Sequence, residues 1–226
     1  MIKLEKVSKI YQPNVIALDD ISFHIQPGEF VSLVGQSGTG KTTFVKLLTG
    51  EERATKGQII VGGWNITRLR QRDVPHLRRQ IAVIFQDFKL LPKKTLLENV
   101  EFALEVCGKP KKKIKAIAPR VMRIVGLENK MNRYPHEVSG GEKQRAAIAR
   151  SLVYQPKILL ADEPTGNLDS INAKDIVNLL LKINKFGTTI VLVTHNKDIV
   201  NKLRKRVLTL HDGRLISDQA VGKYVI

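Results

Sequence analysis

The sequence has a single cysteine, Cys107, in 226 residues. A disulfide within the chain needs two, so none can form, and a reducing compartment, the cytosol, is expected. Long apolar runs are missing as well. A helix that crosses a bilayer needs roughly 18 consecutive apolar residues, and the longest candidates here, such as residues 188–194, have only the length of a strand. Residues 1–7 alternate apolar and charged side chains, which reads as a first strand and not as a secretion leader. Aromatic residues make up 5% of the chain. They are sparse near the basic clusters, which argues against the stacking platform that single-stranded nucleic acid requires. Acidic residues are outnumbered: 21 Asp and Glu face 38 Lys and Arg, a formal net charge of +17. The excess gathers at Lys109, Lys111, Lys112, Lys113 and Lys115, at Arg68, Arg70, Arg72, Arg78 and Arg79, and at Lys202, Arg204, Lys205 and Arg206. Such groups suit an anionic surface, or they are solvated helix faces. Internal repeats, coiled-coil heptads and low-complexity linkers are also absent.

What is present is an α/β pattern of a length that fits one domain. Residues 31–34, 57–61, 81–85, 158–161, 190–193 and 207–210 read as strands. The apolar runs at 158 and 190 are nearly continuous, as in parallel strands buried on both faces. Residues 43–49, 96–106, 114–125, 173–184 and 197–203 have helical spacing, and Gly126 suits the end of the third of these. The pattern turns helical from about Asp87 to Tyr154, which predicts a mostly helical insert at about 87–156. Asp212-Gly213 predicts a hairpin turn.

Three elements carry chemistry. Gly35-Gln36-Ser37-Gly38-Thr39-Gly40-Lys41-Thr42 fits the phosphate-loop pattern of Gly, four residues, Gly, Lys and Ser/Thr, after a strand and before a helix. Its glycines let the backbone approach a polyphosphate, and the helix that follows offers its positive end. Lys41 supplies a mobile charge for the β- and γ-phosphates, and the Thr42 hydroxyl suits Mg²⁺. Asp162 ends an apolar strand, where an acidic residue holds Mg²⁺ through water, and Glu163 beside it can orient and polarise an attacking water. His195 follows another strand end, and so does Gln86; either can reach a γ-phosphate there. The third element is Val138-Ser139-Gly140-Gly141-Glu142, followed by Gln144-Arg145. Taken alone, Ser-Gly-Gly is common in loops; here it precedes the helical run Glu142 to Leu152.

These elements, in this order, resemble the ABC ATPases, and the resemblance covers essentially the whole chain. It implies a P-loop NTPase fold with a RecA-like core, an N-terminal antiparallel β subdomain and a helical subdomain. Ser139-Gly140-Gly141-Glu142 is similar to the family's signature motif, with Val138 where leucine is usual and Glu142 where glutamine is usual. Gln86 matches the Q-loop, Asn167-Leu168-Asp169 the D-loop, and His195 the switch histidine. Tyr11 matches the aromatic residue that stacks on adenine. The resemblance therefore implies ATP contacts from Tyr11, Gly35, Ser37, Gly38, Thr39, Gly40, Lys41, Thr42, Thr43, Gln86, Ser139, Gly140, Gly141, Glu142 and Asp169. It implies Mg²⁺ at Thr42, Gln86 and Asp162, and catalysis by Glu163, His195 and Lys41. Two copies would close head to tail, each ATP lying between Lys41 of one and Ser139 of the other.

The run from Asp162 to Asp169 resembles the branch of lipoprotein-release, macrolide-export and cell-division ATPases. Val74-Pro75-His76-Leu77-Arg78-Arg79-Gln80-Ile81 points within it to the cell-division members, which work with an integral membrane protein on peptidoglycan hydrolases rather than on a known solute. A docking surface for such a subunit is expected between Phe85 and Leu97, with Phe88, Leu90 and Leu91 as apolar contacts, on the cytoplasmic face of the membrane. A lipoprotein-release or export ATPase is the alternative. Nucleic-acid-acting members carry two cassettes or long coiled coils, and this chain shows neither.

Overall fold

A computed structural model describes residues 1–224; positions 225 and 226 lie outside the described residues. Strands β1 (Ile2–Tyr11) and β2 (Val15–Ile25) form a hairpin, and β3 (Phe30–Val34) leads through the glycine loop into helix α1 (Lys41–Leu48). Strands β4 (Lys56–Val61) and β5 (Trp64–Asn65) complete a four-stranded antiparallel sheet in the order β2-β1-β4-β5. The expected antiparallel N-terminal unit is therefore present. Helix α2 (Val74–Gln80) feeds β6 (Ile81–Ile84), after which come α3 (Leu96–Val106), α4 (Lys111–Ile124) and α5 (Gly140–Leu152). The chain then alternates through β7 (Ile158–Asp162), α6 (Ser170–Lys185), β8 (Thr189–Val193) and α7 (Lys197–Leu203), and ends in the hairpin β9 (Arg206–His211) and β10 (Arg214–Gln219). Its turn, Asp212-Gly213, has φ of 44° and 75°, as a two-residue hairpin turn demands.

The second sheet runs β10-β9-β3-β8-β7-β6, parallel except for the β10 edge. Side chains alternate across it. Val31, Leu33, Leu160 and Val193 pack with the antiparallel sheet and α1, while Phe30, Leu159, Ala161 and Leu192 pack with α3 to α6. Burial on both faces accounts for the uninterrupted apolar runs.

One strand was not foreseen, and two expectations need correction. Periodicity does not predict β2, because a bulge shifts its register. Leu18 and Ile21, three apart, are both buried, with Asp20 between them at φ 50°. The helical pattern expected from about Asp87 begins only at Leu96. Before it, Phe88 and Lys89 both adopt left-handed backbone, φ 60° and 49°. Such non-glycine residues cost about 1–3 kcal/mol each and persist where neighbours over-determine them. Here the Arg150 guanidinium of α5 donates to the carbonyl oxygens of both. Thr95 then caps α3 with a reciprocal bond to Glu98, 3.2 and 2.7 Å. Finally, Arg206 does not belong to the exposed basic surface: it is paired with Glu29 at 3.0 Å and Asp218 at 2.7 Å. Lys111, Lys112, Lys113 and Lys115 are exposed, as expected of a solvated face.

Candidate functional site

Four neighbouring parallel strands end on one side of the second sheet. Across it, the loops that follow carry Gly35 after β3, His195 after β8, Asp162 and Glu163 at the end of β7, and Gln86 after β6. Crevices beyond the carboxyl ends of parallel strands are where such sheets bind ligands. A cavity of about 700 Å³ opens there. Ser37, Gly38, Gly40, Lys41, Thr42 and Thr43 line it, together with Gln86, Asp162, Glu163 and His195. Gly35 and Thr39 lie behind this wall; the Thr39 hydroxyl donates to the Gln36 carbonyl at 2.9 Å and so braces the loop.

Gly40 is the N-cap of α1 at φ 97°, and a Cβ there would run into the Ala17 carbonyl and the Leu18 side chain. No other residue type fits both the angle and the space. The Lys41 ammonium donates to the carbonyls of Gly35 at 2.8 Å and Gln36 at 2.6 Å. Its pKa is lowered by burial, against the opposing pull of Glu163 and Asp162. An anionic ligand would offset that burial.

Burial, then the charge of Glu163, pushes the Asp162 pKa up, with Lys41 opposing. A raised pKa means that this group's stability contribution is present below the ordinary carboxylate range. It is lost as pH rises through the folded value. The ionised side chain is thus a net burden at neutral pH, one that a bound cation relieves. Asp162→Asn should therefore raise the melting midpoint of the ligand-free chain at pH 7 by a few degrees, measured by scanning calorimetry; a lowered midpoint would contradict this account.

Glu163 has φ 47°, a left-handed conformation for a non-glycine residue. The surroundings fix it. Its N–H donates to Val193 O at 2.9 Å, and its carboxylate accepts from Thr194 Oγ1 at 3.1 Å and the His195 N–H at 3.0 Å. His195 Nδ1 lies 2.6 Å from Glu163 Oε1. The accepting carboxylate oxygen puts a proton on Nδ1, which fixes the ring's orientation and turns Nε2 toward the cavity. The backbone strain thus aims a carboxylate and an imidazole as one unit.

The Gln86 side chain donates to Asn167 Oδ1 at 3.1 Å, and Asn167 Nδ2 returns a bond to the Gln86 carbonyl at 3.1 Å. Gln144, fully buried, donates to Pro164 O at 2.7 Å and ties α5 to the same loop. Ser139 caps α5, and Glu142 reaches back to its N–H at 2.9 Å. This bond holds the Glu142 carboxyl below its usual range and explains why glutamate serves where glutamine is usual. Ser139, Gly140, Gly141 and Glu142 do not line the cavity of their own chain. Gly141 packs so closely on Asn172 that a Cβ would collide with it. Asn172 in turn donates to Asp169 at 2.6 Å, and Asp169 caps α6. Asp169 likewise lies outside the cavity lining, as does Tyr11, whose cross-strand partner Val15 is part of it.

Sequence reasoning missed the apolar wall Val15, Ile16 and Ala17, and Tyr224. Val15 and Ile16 are 59% and 55% accessible in the fold; no local pattern in the sequence points to them or to Tyr224. For a metal, Thr42, Asp162 and Gln86 offer hard oxygen donors, which fits a small divalent cation that retains waters and phosphate oxygens. Among the described residues no three His, Cys, Asp or Glu side chains cluster as a self-sufficient metal site. A cation here would depend on the bound anion's own oxygens.

The family model described as ABC transporter matches residues 18–166. The chain is similar to proteins named cell division ATP-binding protein FtsE. Identity is 48% over 224 residues with that of Streptococcus pneumoniae strain D39, covering 99% of this chain and 97% of the relative. It is 50% over 225 residues for Mycobacterium tuberculosis H37Rv, covering 99% and 98%, and 44% over 215 residues for Escherichia coli K12, covering 95% and 97%. Among solved structures, the dimeric post-hydrolysis state of the ATP-binding cassette MJ0796 bound to ADP and Pi superposes with a TM-score of 0.88. The two share 33% identity, over 99% of this chain and all of that one.

Proposed function

The chain belongs to the ABC transporter family of ATP-binding proteins, and from that membership we propose that it is the ATP-hydrolysing subunit of a membrane complex acting in bacterial cell division, with an integral membrane subunit resembling FtsX. ATP hydrolysis follows from the family and the relatives. One observation carries the reading of the site: the Glu163–His195 pair stands in the same cavity as Lys41 and Asp162.

Lys41 and the loop amides hold the β- and γ-phosphates. Glu163 orients the water and accepts its proton, while His195 Nε2 contacts the γ-phosphate side. Thr42, Asp162 and Gln86 would hold Mg²⁺, which when bound neutralises charge developing on the phosphates. Ser139 and its glycines complete the pocket of a second copy, in keeping with their position outside the cavity of their own chain. The whole chain serves as one ATP-hydrolysing domain, with the helical insert at about 87–156 carrying the signature turn. Hydrolysis changes the shape of the dimer, and the membrane subunit relays that change to peptidoglycan hydrolases.

Docking at the cytoplasmic face is supported by an apolar groove of about 510 Å³ between α2, β6, α3 and α5. Leu91, Phe102 and Val106 line it, with Arg78 and Arg79 at its edge. Of the three apolar contacts expected from sequence, only Leu91 lies in this groove. Leu90 packs against the helical core, and Phe88 approaches Gly140. Among the described residues no helix is long and apolar enough to cross a membrane. Val106 is 65% exposed, so Val106→Asp should leave the fold intact. We expect that variant to recover about tenfold less of the membrane subunit on affinity purification, with ATP turnover by the isolated chain unchanged. Full recovery by the folded variant would reject the docking site.

A further inference from the structure

We propose that Tyr224 is a positioning residue of the nucleotide site, a wedge that sets the segment bearing His195 against the strand entering the phosphate loop. The proposal rests on reading the cavity as the ATP site.

After β10 the chain doubles back across the end of the sheet. Gly222 donates its N–H to Lys205 O at 3.1 Å and lies so flat on Val207 that a Cβ would come within 2.7 Å of that side chain. The Tyr224 N–H then bonds Asn201 Oδ1 of α7 at 2.9 Å. The residue is 5% exposed and packs with Val34, Val200 and Val207. Val34 immediately precedes Gly35, and Val200 lies on α7, just beyond His195. Tyr224 also borders the cavity that Glu163 and His195 share. One side chain thus touches the strand before the loop, the helix after the histidine and the space between them.

This helix is short, with Ile199 and Leu203 only partly buried against the core. It spans seven residues and buries only Val200, and helices of that length are unstable without tertiary contacts. The His195 side chain is 68% exposed, so few packing contacts restrain it. Its backbone is tied to Glu163 at 3.0 Å, while the 2.6 Å approach of its ring also follows the course of the chain into α7, where the Lys197 ammonium lies 5.4 Å over the Tyr224 ring. Removing the wedge lets the start of α7 drift. A misplacement of about 1 Å near reacting groups can lower a rate by up to about 10²-fold.

The experiment compares the full chain with Tyr224→Ala, Tyr224→Phe, Asn201→Ala and Val207→Ala. Steady-state ATP turnover, binding of a fluorescent ATP analogue and melting midpoints are measured. We expect Tyr224→Ala to lose about tenfold in kcat with KM and analogue affinity within about twofold of wild type. Tyr224→Phe, which keeps the ring, should retain kcat. Asn201→Ala should show a smaller loss in kcat of the same kind. Val207 shares the cluster but does not border the cavity, so Val207→Ala should lower the midpoint and spare kcat. The proposal is overturned if Tyr224→Ala turns over normally, if Tyr224→Phe is as defective as Tyr224→Ala, or if kcat simply follows the melting midpoint across the set. Lys41→Ala is the control for the underlying reading: if it hydrolysed ATP normally, the assignment of the site itself would fail.

Discussion

Glu163→Gln is expected to reduce ATP turnover by about 10²–10³-fold while leaving nucleotide binding nearly intact. Glutamine fills the same volume; its oxygen can still accept from His195 while its amide donates to the Thr194 hydroxyl, so the left-handed turn at 163 survives. What it loses is the capacity to take a proton from water. The binding groups, Lys41 and the loop amides, are untouched. A chain that binds ATP and cannot cleave it should remain in the closed, paired state. Phosphate release would be read by a coupled assay and the dimer by gel filtration with and without ATP. Normal turnover by the variant would remove Glu163 from the role of base. A slow variant that stays monomeric with ATP would break the link between nucleotide and pairing.

Mixing two inactive chains should restore activity that neither has alone. Lys41→Ala disables the phosphate loop of its own chain. Ser139→Arg disables the lid that the chain offers to its partner; Ser139 is exposed, so the substitution costs about 1 kcal/mol of helix cap and little packing. In a mixed pair, one pocket combines both defects and the other combines two intact halves. Random pairing of equal amounts gives about half mixed dimers, hence about a quarter of the wild-type number of complete pockets. Recovered turnover would demonstrate a site shared between copies. Failure to recover, with Ser139→Arg fully active by itself, would show that each chain encloses its own nucleotide.

Much of the cavity's lining was legible in the sequence because its signals are local. The glycine loop, its strand and its helix occupy one continuous stretch. Asp162, His195 and Gln86 each sit at the end of a recognisable apolar run, and parallel pairing brings those ends together. Strand β2 was not legible, because its bulge breaks the alternation that marks a strand. The loop at Phe88 and Lys89 was misread because its shape is imposed by Arg150, more than sixty positions away, and not by its own residues. Tyr224, the bonds between Gln86 and Asn167, and the close contact of Gly141 with Asn172 were hidden for the same reason: each depends on a partner brought near by tertiary folding. Glu142 lay between. Its place three residues after Ser139 fits a capping box, and the bond to the Ser139 N–H completes it.

Arg150 has one further implication. Its guanidinium lines the groove while gripping the carbonyls of Phe88 and Lys89, shortly after Gln86, so the groove and the loop that follows Gln86 share a single fastening. Drawing that fastening toward an occupant of the groove would free two residues from conformations they do not favour, and Gln86 with its Asn167 partner would shift. Thermodynamic reciprocity then requires the message to run both ways: if seating a membrane helix changes how tightly nucleotide is held, the nucleotide must change by the same factor how tightly the helix is held.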